Sequence, residues 1–507
     1  MNVVFRQSFK GTLTNLIGAG IGFLSTFFVI TRLLTPEEIG LTRVLVEAAT
    51  LVSGYALLAT NSSSIRYYPY FRTDDGRDRG FFRLLLTIPL LGLLIFGGAY
   101  LLFKEPLVAY FSPKGGEEDL FRRYYYMVLP LVLFILYQTL LEVYCSLRQR
   151  IVLPKVSREV LLRLLLLVAY IAYGIGWIDF DLFVIAFVLS YGVMMCVTLF
   201  YSLRISPQAL RAPIEPIAPD VRRDFRRYTL FTLLSAMGSS VVQRLDLFMV
   251  SAELGMASAG IYTIAFYVVA VIEMPSRSLS AMSSPFASEA IHSGDTARLN
   301  QLYRRVSCYQ LLVGALLLLA IWVNIDLLFW LIPNGETYAL GKGVVLFLGL
   351  GKLIDLAFSF GNGILRYSKY YFWTLAYTII VVVVTILLNL YLIDLWGMVG
   401  AAVATMITFG VSYTFQQLVL WRKLQITPLS RELVRIAALF GLLMLVNYLL
   451  PHAGHPLLDS VWRSLVIGIF GWWLMRRLET FRGLEAQVKE LIMEFWTKNK
   501  KKKESKR

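Results

Sequence analysis

The chain is short of charge. Of its 507 residues only 16% are Asp, Glu, Lys or Arg, against about 25% in soluble globular domains. Hydrophobic residues make up 57%, and the mean hydropathy is +0.64. A water-facing globule has no interior large enough for so many apolar side chains, whereas a lipid solvent lets them face outward. Cysteine and histidine are equally scarce, three of each. Cys145, Cys196 and Cys308 lie far apart in apolar surroundings with no CxxC, which argues against a disulfide framework or metal site. His452 and His455 are spaced i, i+3 with no other ligand type beside them, and His292 stands apart, so these read as loop histidines. No G-x-x-x-x-G-K-[ST] motif is present, and no loop is long enough to form a catalytic domain. No cofactor is therefore expected. Any work the protein does must draw on an ion gradient, the membrane potential or consumption of its product.

What is present is a long series of apolar runs. An apolar helix needs about 20 residues to cross the hydrocarbon core. About fourteen segments qualify: 11–34, 41–62, 82–103, 123–146, 159–176, 181–204, 226–253, 260–283, 306–332, 339–364, 371–393, 397–421, 431–450 and 459–477. The first run is too long for a cleaved leader and has no small-residue site after it, so it reads as a retained helix.

The charges are placed by side. With Arg6 and Lys10 in the cytosol, cytosolic loops carry Arg66, Arg72, Arg77 and Arg79, then Arg148, Arg150, Lys155 and Arg158, and so on to Arg422, Lys423 and Arg431. The opposite loops carry Glu37, Glu38, Asp179, Asp181, Glu253, Glu336, Asp394 and Asp459. A missed helix would invert this alternation from that point onward. The expected fold is an all-α polytopic membrane protein of about fourteen spans with both termini cytosolic. The net charge of +16 is spread over short loops and a tail, so it points to membrane topology and not to nucleic acid.

A proline-rich linker, 205–225, separates six segments (1–204) from six more (226–421). LLTPEEIGLTRV after the first segment matches ELGMASAGIYTI after the seventh, with Gly40 and Gly260 220 positions apart. FFR before the third matches LYR before the ninth (Arg83 and Arg304, 221 apart). The LR pairs after the fourth and tenth match as well (Arg148 and Arg366, 218 apart). Both halves start on the same side. The implied architecture is two parallel-repeat six-helix lobes facing a central cavity. Helices 13–14 (422–477) are appended. Residues 478–507 form an amphipathic helix and a lysine-rich tail suited to the lipids of the anionic cytosolic leaflet.

Ionisable residues within hydrocarbon cost at least about 2.5–3.5 kcal/mol each, so they are expected to face a partner or a cavity. Arg43 and Glu47 lie four apart in the second segment. Gln243, Arg244 and Asp246 lie in the seventh, and Arg244 and Asp246, two apart, seek partners on other helices. Glu273 and Arg277 lie in the eighth, Lys352 and Asp355 in the tenth. These sets can be self-neutralising structural pairs. Gathered around a cavity, Arg43, Arg244, Lys352 and Gln243 would suit an anionic group such as a diphosphate. Glu47, Asp246, Glu273 and Asp355 would serve as charge partners, or bind a coupling proton or sodium ion. Pro130 and Pro275 fall inside spans and permit bends.

The run NLIGAGIGFLSTFFVITRLLTPEEIGLTRVL, with L-x-P-x-x-x-G at 34–40, resembles the opening of the polysaccharide transporter family. AELGMASAGIYTIAFYV is similar to that family's seventh and eighth helices. The family belongs to the multidrug, oligosaccharidyl-lipid and polysaccharide exporter superfamily. The resemblance implies an alternating-access flippase that carries undecaprenyl-diphosphate-linked oligosaccharide across a bacterial inner membrane, with a glycan polymerase as a candidate partner. Two relatives compete: a lipid II flippase, whose first helix usually carries an arginine-rich pattern and an R-D pair absent here, and a multidrug antiporter, whose cavity favours cations. Different classes of answer are a membrane-embedded glycan-assembly enzyme and a scaffold.

Overall fold

The computed structural model describes residues 14, 17–73, 78–111, 120–148, 150–207, 212–214, 219–242, 244–370, 372–452 and 454–477. The expected tail at 478–507 lies outside them, as does Gln243.

The described chain is helical throughout. In order, the helices are α1 (Ile17–Leu33), α2 (Pro36–Ala56), α3 (Thr60–Phe71), α4 (Asp78–Leu102), α5 (Leu120–Leu147), α6 (152–174), α7 (Phe180–Ile205) and α8 (Pro219–Val242). Then come α9 (Leu245–Ala270), α10 (Met274–Ser293), α11 (Thr296–Val323), α12 (Lys342–Phe358), α13 (Phe360–Tyr367), α14 (Phe372–Leu424), α15 (Arg431–Leu449) and α16 (Pro456–Arg477). Among the described residues nine helices are long and apolar enough to cross a membrane, or ten if the bent pair α12–α13 is one span. Large apolar side chains such as Leu94, Leu102, Phe200, Leu387, Leu449 and Ile469 are exposed. An apolar exterior of this extent requires lipid around it, and the chain is a multi-pass membrane protein.

Helix ends follow local chemistry. Thr35 caps α2: its Oγ1 accepts from the Glu38 amide at 3.3 Å, the Glu38 carboxylate accepts from the Thr35 amide at 2.8 Å, and Pro36 opens the helix. Asp179, Asp295 and Ser430 cap α7, α11 and α15, each side chain accepting from the amide three residues on. Two of the expected turns, at 254–259 and 394–396, are sharp kinks at or beside a single glycine. The chain leaves helical geometry at Gly255 (φ 85°, ψ 173°) in α9 and at Gly397 (φ 58°, ψ −136°) in α14, so each of these elements is two helices joined at a kink. Both conformations are reserved for glycine. The expected second segment is also broken, by left-handed Leu58 and Ala59, and continues as the polar helix α3.

Contacts divide the chain into two compact units. The first holds Met1–Ile264, Ile332–Asn334 and Thr385–Met398; the second holds Ala265–Leu331, Gly335–Val384 and Val399–Arg507. In the first, α5 packs between α2 and α7, and a core of Phe81, Phe82, Leu85, Leu140 and Tyr144 closes around α3. In the second, α11 packs against α10, α12 and α15, over a core that contains Leu302, Tyr303 and Val306. These three stand 221 positions after Phe81, Phe82 and Leu85, so the offset found in the sequence relates the same core positions in both units.

Two bends shape the second unit. Before Pro275 the helix tightens into a 3-10 turn at Val271–Glu273, the local answer to a missing backbone donor. Between α12 and α13 the axis turns by 44° at Ser359. The Phe358 carbonyl at that bend accepts from the Tyr303 hydroxyl (3.1 Å) and from Gln416 Nε2 (3.0 Å), so side chains satisfy it in the absence of water. The appended α15 and α16 pack on α11 through Leu439, Leu443 and Ile467. The buried Arg463 ties their ends together by donating to Asp459 (3.0 Å), the Asn447 carbonyl (3.2 Å) and the Leu450 carbonyl (2.9 Å).

Candidate functional site

The charged residues found in the apolar segments form two clusters, one in each unit. In the first unit, α2 carries Arg43 and Glu47 one turn apart, so their side chains share a face. Arg43 Nη2 lies 2.7 Å from Glu47 Oε1. Arg244, in the short break between α8 and α9, places Nε 2.7 Å from Glu47 Oε2. One carboxylate is thus held by two guanidiniums, with side-chain exposures of 22%, 14% and 14% for Arg43, Glu47 and Arg244. The group lies in a partly desolvated place, where a charge is screened least.

Asp246 follows Arg244 by two residues. Its carboxylate accepts from Asn389 Nδ2 at 2.9 Å and from the Tyr262 hydroxyl at 3.2 Å. Asn389 is fully buried and Thr385, one turn before it, nearly so. Neither was singled out in the sequence. A polar pair at i, i+4 inside VVVVTILLNLYL was the available signal.

In the second unit Glu273, on the 3-10 turn before Pro275, forms ion pairs with Lys352 and with Arg277, the latter at 2.9 Å. Lys352 also lies 3.8 Å from Asp355 and 5.5 Å above the Phe409 ring. The Tyr413 hydroxyl donates to Asp355, and Tyr377 packs on the Tyr413 ring with centroids 5.7 Å apart. Here one half-buried ammonium sits between two carboxylates, the reverse of the first cluster. Arg277 is largely exposed, at 77%. Tyr377 and Tyr413 were missed in the sequence, since tyrosine is common in apolar helices and only the fold brings it to Asp355.

The first unit holds two further contacts of α2 and α3 with the α8–α9 region. At the start of α2, Gly40 and Gly260 face each other: a Cβ on Gly40 would stand 3.0 Å from the Gly260 nitrogen, and one on Gly260 would stand 2.8 Å from the Pro36 carbonyl carbon. The repeat-related glycines are therefore in backbone contact, each occupying the space a side chain would need. On α3, the Tyr67 hydroxyl donates to Asp224 at 2.6 Å. Ser63 and Thr229 hydroxyls are 2.7 Å apart, and the Arg66 guanidinium lies 4.4 Å above the Tyr228 ring. Burial and the hydrogen bond to Asp224 push the Tyr67 phenol up to about 12, so it remains a donor across the physiological range.

Comparison with known proteins adds to this geometry. The MatE family model matches residues 232–391. That stretch includes Arg244, Asp246, Glu273, Lys352, Asp355 and Asn389, and leaves out Arg43 and Glu47. No curated protein matches the chain by sequence. Among solved structures the chain is similar to the lipid II flippase MurJ in an inward closed conformation, with TM-score 0.68 and 13% identity, over 94% of this chain and 99% of that one. It is also similar to an inward-facing multidrug resistance MATE family transporter of the MOP superfamily (TM-score 0.57, 16% identity, 84% and 95% covered). A Vibrio cholerae MATE transporter gives TM-score 0.56 at 14% identity, with 83% and 97% covered. The chain has the fold of these transporters.

Proposed function

We propose that the protein is a flippase that moves a lipid-linked oligosaccharide, anchored through undecaprenyl diphosphate, from the cytosolic to the periplasmic leaflet of a bacterial inner membrane. The observation that carries this reading is the first cluster. Two arginines converge on one carboxylate inside the membrane-embedded part of a transporter fold, and paired guanidiniums suit a diphosphate, whose oxygens match their geometry. The sugar headgroup would pass through the protein while the polyprenyl tail stays in lipid.

The reading includes fourteen spans, counting α8 with the first arm of α9 as one, its second arm with α10 as one, each arm of α14 as one and the pair α12–α13 as one, with both ends cytosolic by the loop charges. It takes the protein as a transporter without catalytic activity. In the second cluster, Glu273 and Asp355 around Lys352 supply carboxylates for a coupling proton or sodium ion, with Lys352 available to a sugar acid when its partners are neutralised. A lipid II flippase, as MurJ is, would share the diphosphate chemistry and differ in the glycan. The Gly40–Gly260 crossing would be the periplasmic closure and the Tyr67–Asp224 contact the cytosolic one.

The test is lipid-linked glycan in cells lacking the protein. Accumulation on the cytosolic face, reversed by the intact gene and not by Arg244→Ala at equal protein abundance, is the expected result. A normal glycan distribution together with new sensitivity to cationic drugs would overturn it.

A further inference from the structure

The 44° bend between α12 and α13 is held by side chains of other helices. In an unbroken helix the Phe358 carbonyl would accept from the Asn362 amide four residues on. Here that amide bonds to the Ser359 carbonyl at 3.0 Å. The Phe358 carbonyl accepts instead from the Tyr303 hydroxyl of α11 at 3.1 Å and from Gln416 Nε2 of α14 at 3.0 Å. Gln417 Nε2 donates in turn to the Tyr303 hydroxyl. Gly361 makes room for both donors: a Cβ there would stand 2.5 Å from the Tyr303 hydroxyl oxygen and 2.6 Å from Gln416 Nε2. The arrangement is not fully satisfied. Gln416 Oε1 and Gln417 Oε1 are buried without a hydrogen-bond partner among the described residues, and a buried acceptor left unpaired is unfavourable. Three residues before Gln416, on the same side of α14, the Tyr413 hydroxyl donates to Asp355. Asp355 lies one turn before the bend, and its backbone carbonyl accepts from the Ser359 amide at 2.7 Å. α14 therefore grips the bent span twice, once at a carboxylate of the charged cluster and once at the bend itself.

We propose that the bend at Ser359 is a two-state hinge, latched by Tyr303 and Gln416 and released when Asp355 is neutralised. The groups that face Asp355 are Lys352 on its own helix, at 3.8 Å, Glu273 on the far side of Lys352, and Tyr413 and Tyr377 of α14. While Asp355 is ionised, the hydrogen bond from Tyr413 is charge-assisted and strong, and it keeps Gln416 opposite the Phe358 carbonyl. A proton or sodium ion on the carboxylate weakens that bond and lets Gln416 withdraw. The Phe358 carbonyl then takes back the Asn362 amide, and the Tyr303 hydroxyl turns to the unpaired Gln416 Oε1. Both states leave the Phe358 carbonyl bonded, as backbone within a membrane requires. α13 leans on α10, α11 and α14 through Phe360, Ile364 and Leu365. Lipid tails are as apolar as those neighbours, so leaving them carries no hydrophobic penalty. The proposal rests on the reading of Asp355 as a coupling carboxylate, and it turns the charge state of the second cluster into movement of α13.

The test is electron-spin distance measurement on the full-length protein in lipid nanodiscs. Cys145, Cys196 and Cys308 are replaced, and labels stand at exposed Gln301 of α11 and Arg366 of α13. At about 1.5 Å per residue Arg366 lies about 10 Å beyond Ser359, so straightening the 44° bend moves it by about 8 Å. In sodium-free alkaline buffer the wild type should show mainly the short distance of the bent state. Gly361→Ala fills the space of both donors, Tyr413→Phe removes the grip on Asp355, and Asp355→Asn imitates the neutralised carboxylate. Each should raise the ratio of long to short distance about tenfold, the scale of a lost hydrogen bond to a charged group or of two neutral ones. Gln416→Leu removes a donor without crowding the backbone, and it carries the same expectation where Gly361→Ala does not fold. An unchanged distribution in Gly361→Ala or Gln416→Leu would overturn the latch. A shift in those variants with none in Tyr413→Phe and Asp355→Asn would overturn its control by the carboxylate. A shift in all of them, with transport by Asp355→Asn still dependent on the driving ion, would remove Asp355 from ion coupling and leave the latch standing.

Discussion

Consider Gly260→Ala. In the structure the added methyl would stand 2.8 Å from the Pro36 carbonyl carbon and closer still to its oxygen. Ordinary contact between carbons is about 3.5–4.0 Å, so α2 and α9 must separate by about 1 Å. No flexible side chain can yield, because the obstacle is backbone. Overpacking of this kind costs about 1–3 kcal/mol, and the upper end applies to a rigid obstacle. Alanine recovers about 0.5–1 kcal/mol of helix propensity. The net penalty on the closed crossing is about 2 kcal/mol, a shift of about 30-fold toward states in which the crossing is open. The assay is electron-spin distance measurement between labels at the exposed Glu37 and Glu253, after replacement of Cys145, Cys196 and Cys308. The wild type should show one short distance, and Gly260→Ala a second, longer one as a major component. An unchanged distribution in a folded, abundant variant would refute the claim that this crossing is a closure held by glycine contact.

Further outcomes are expected elsewhere. Asp224→Asn keeps an acceptor for Tyr67 and weakens it, while the half-exposed Arg66 contact at 3.5 Å contributes little. A cysteine at the buried position Ser63 should then react with a soluble maleimide several-fold faster than in the wild-type background. Asp355→Asn leaves Lys352 with Glu273 as its one remaining carboxylate. Transport should lose its dependence on the driving ion, and unchanged ion dependence would remove Asp355 from the coupling role. Tyr303→Phe takes one of two donors from the Phe358 carbonyl and should lower stability in detergent by about 1 kcal/mol, read as a lower denaturation midpoint.

Pairs close in sequence were legible before the fold was known. Arg43 with Glu47, Glu273 with Arg277 and Lys352 with Asp355 follow from helical spacing, and all three form. The duplicated glycines were legible as a repeat, but not as partners, because periodicity says nothing about which helices cross. Long-range sharing was hidden for the same reason. Arg244 reaches Glu47 across almost two hundred residues of chain, and Asp246 turns instead to Asn389 and Tyr262. Segment ends were misjudged where hydropathy and helix part company. The polar run TNSSSIRYYPYF is helical because Tyr67, Tyr68 and Phe71 bury against Phe81 and its neighbours, not because it is apolar. At Gly255 and Gly397 the chain turns where the charges suggested, but a single residue's backbone angle makes the break in place of a longer loop.

The glycine crossing also limits how the protein can vary. A bulky residue in a packed core is often tolerated once its neighbour shrinks, and such compensating pairs are the usual product of a suppressor screen. Gly40 is walled in by the backbone of Met256 and Gly260, and Gly260 by that of Pro36, so neither faces a side chain that could shrink. A transport defect caused by a side chain at one of them cannot be rescued by any substitution at the other. Revertants should restore glycine itself, or arise where the opposing backbone can be moved, around Pro36 and Met256.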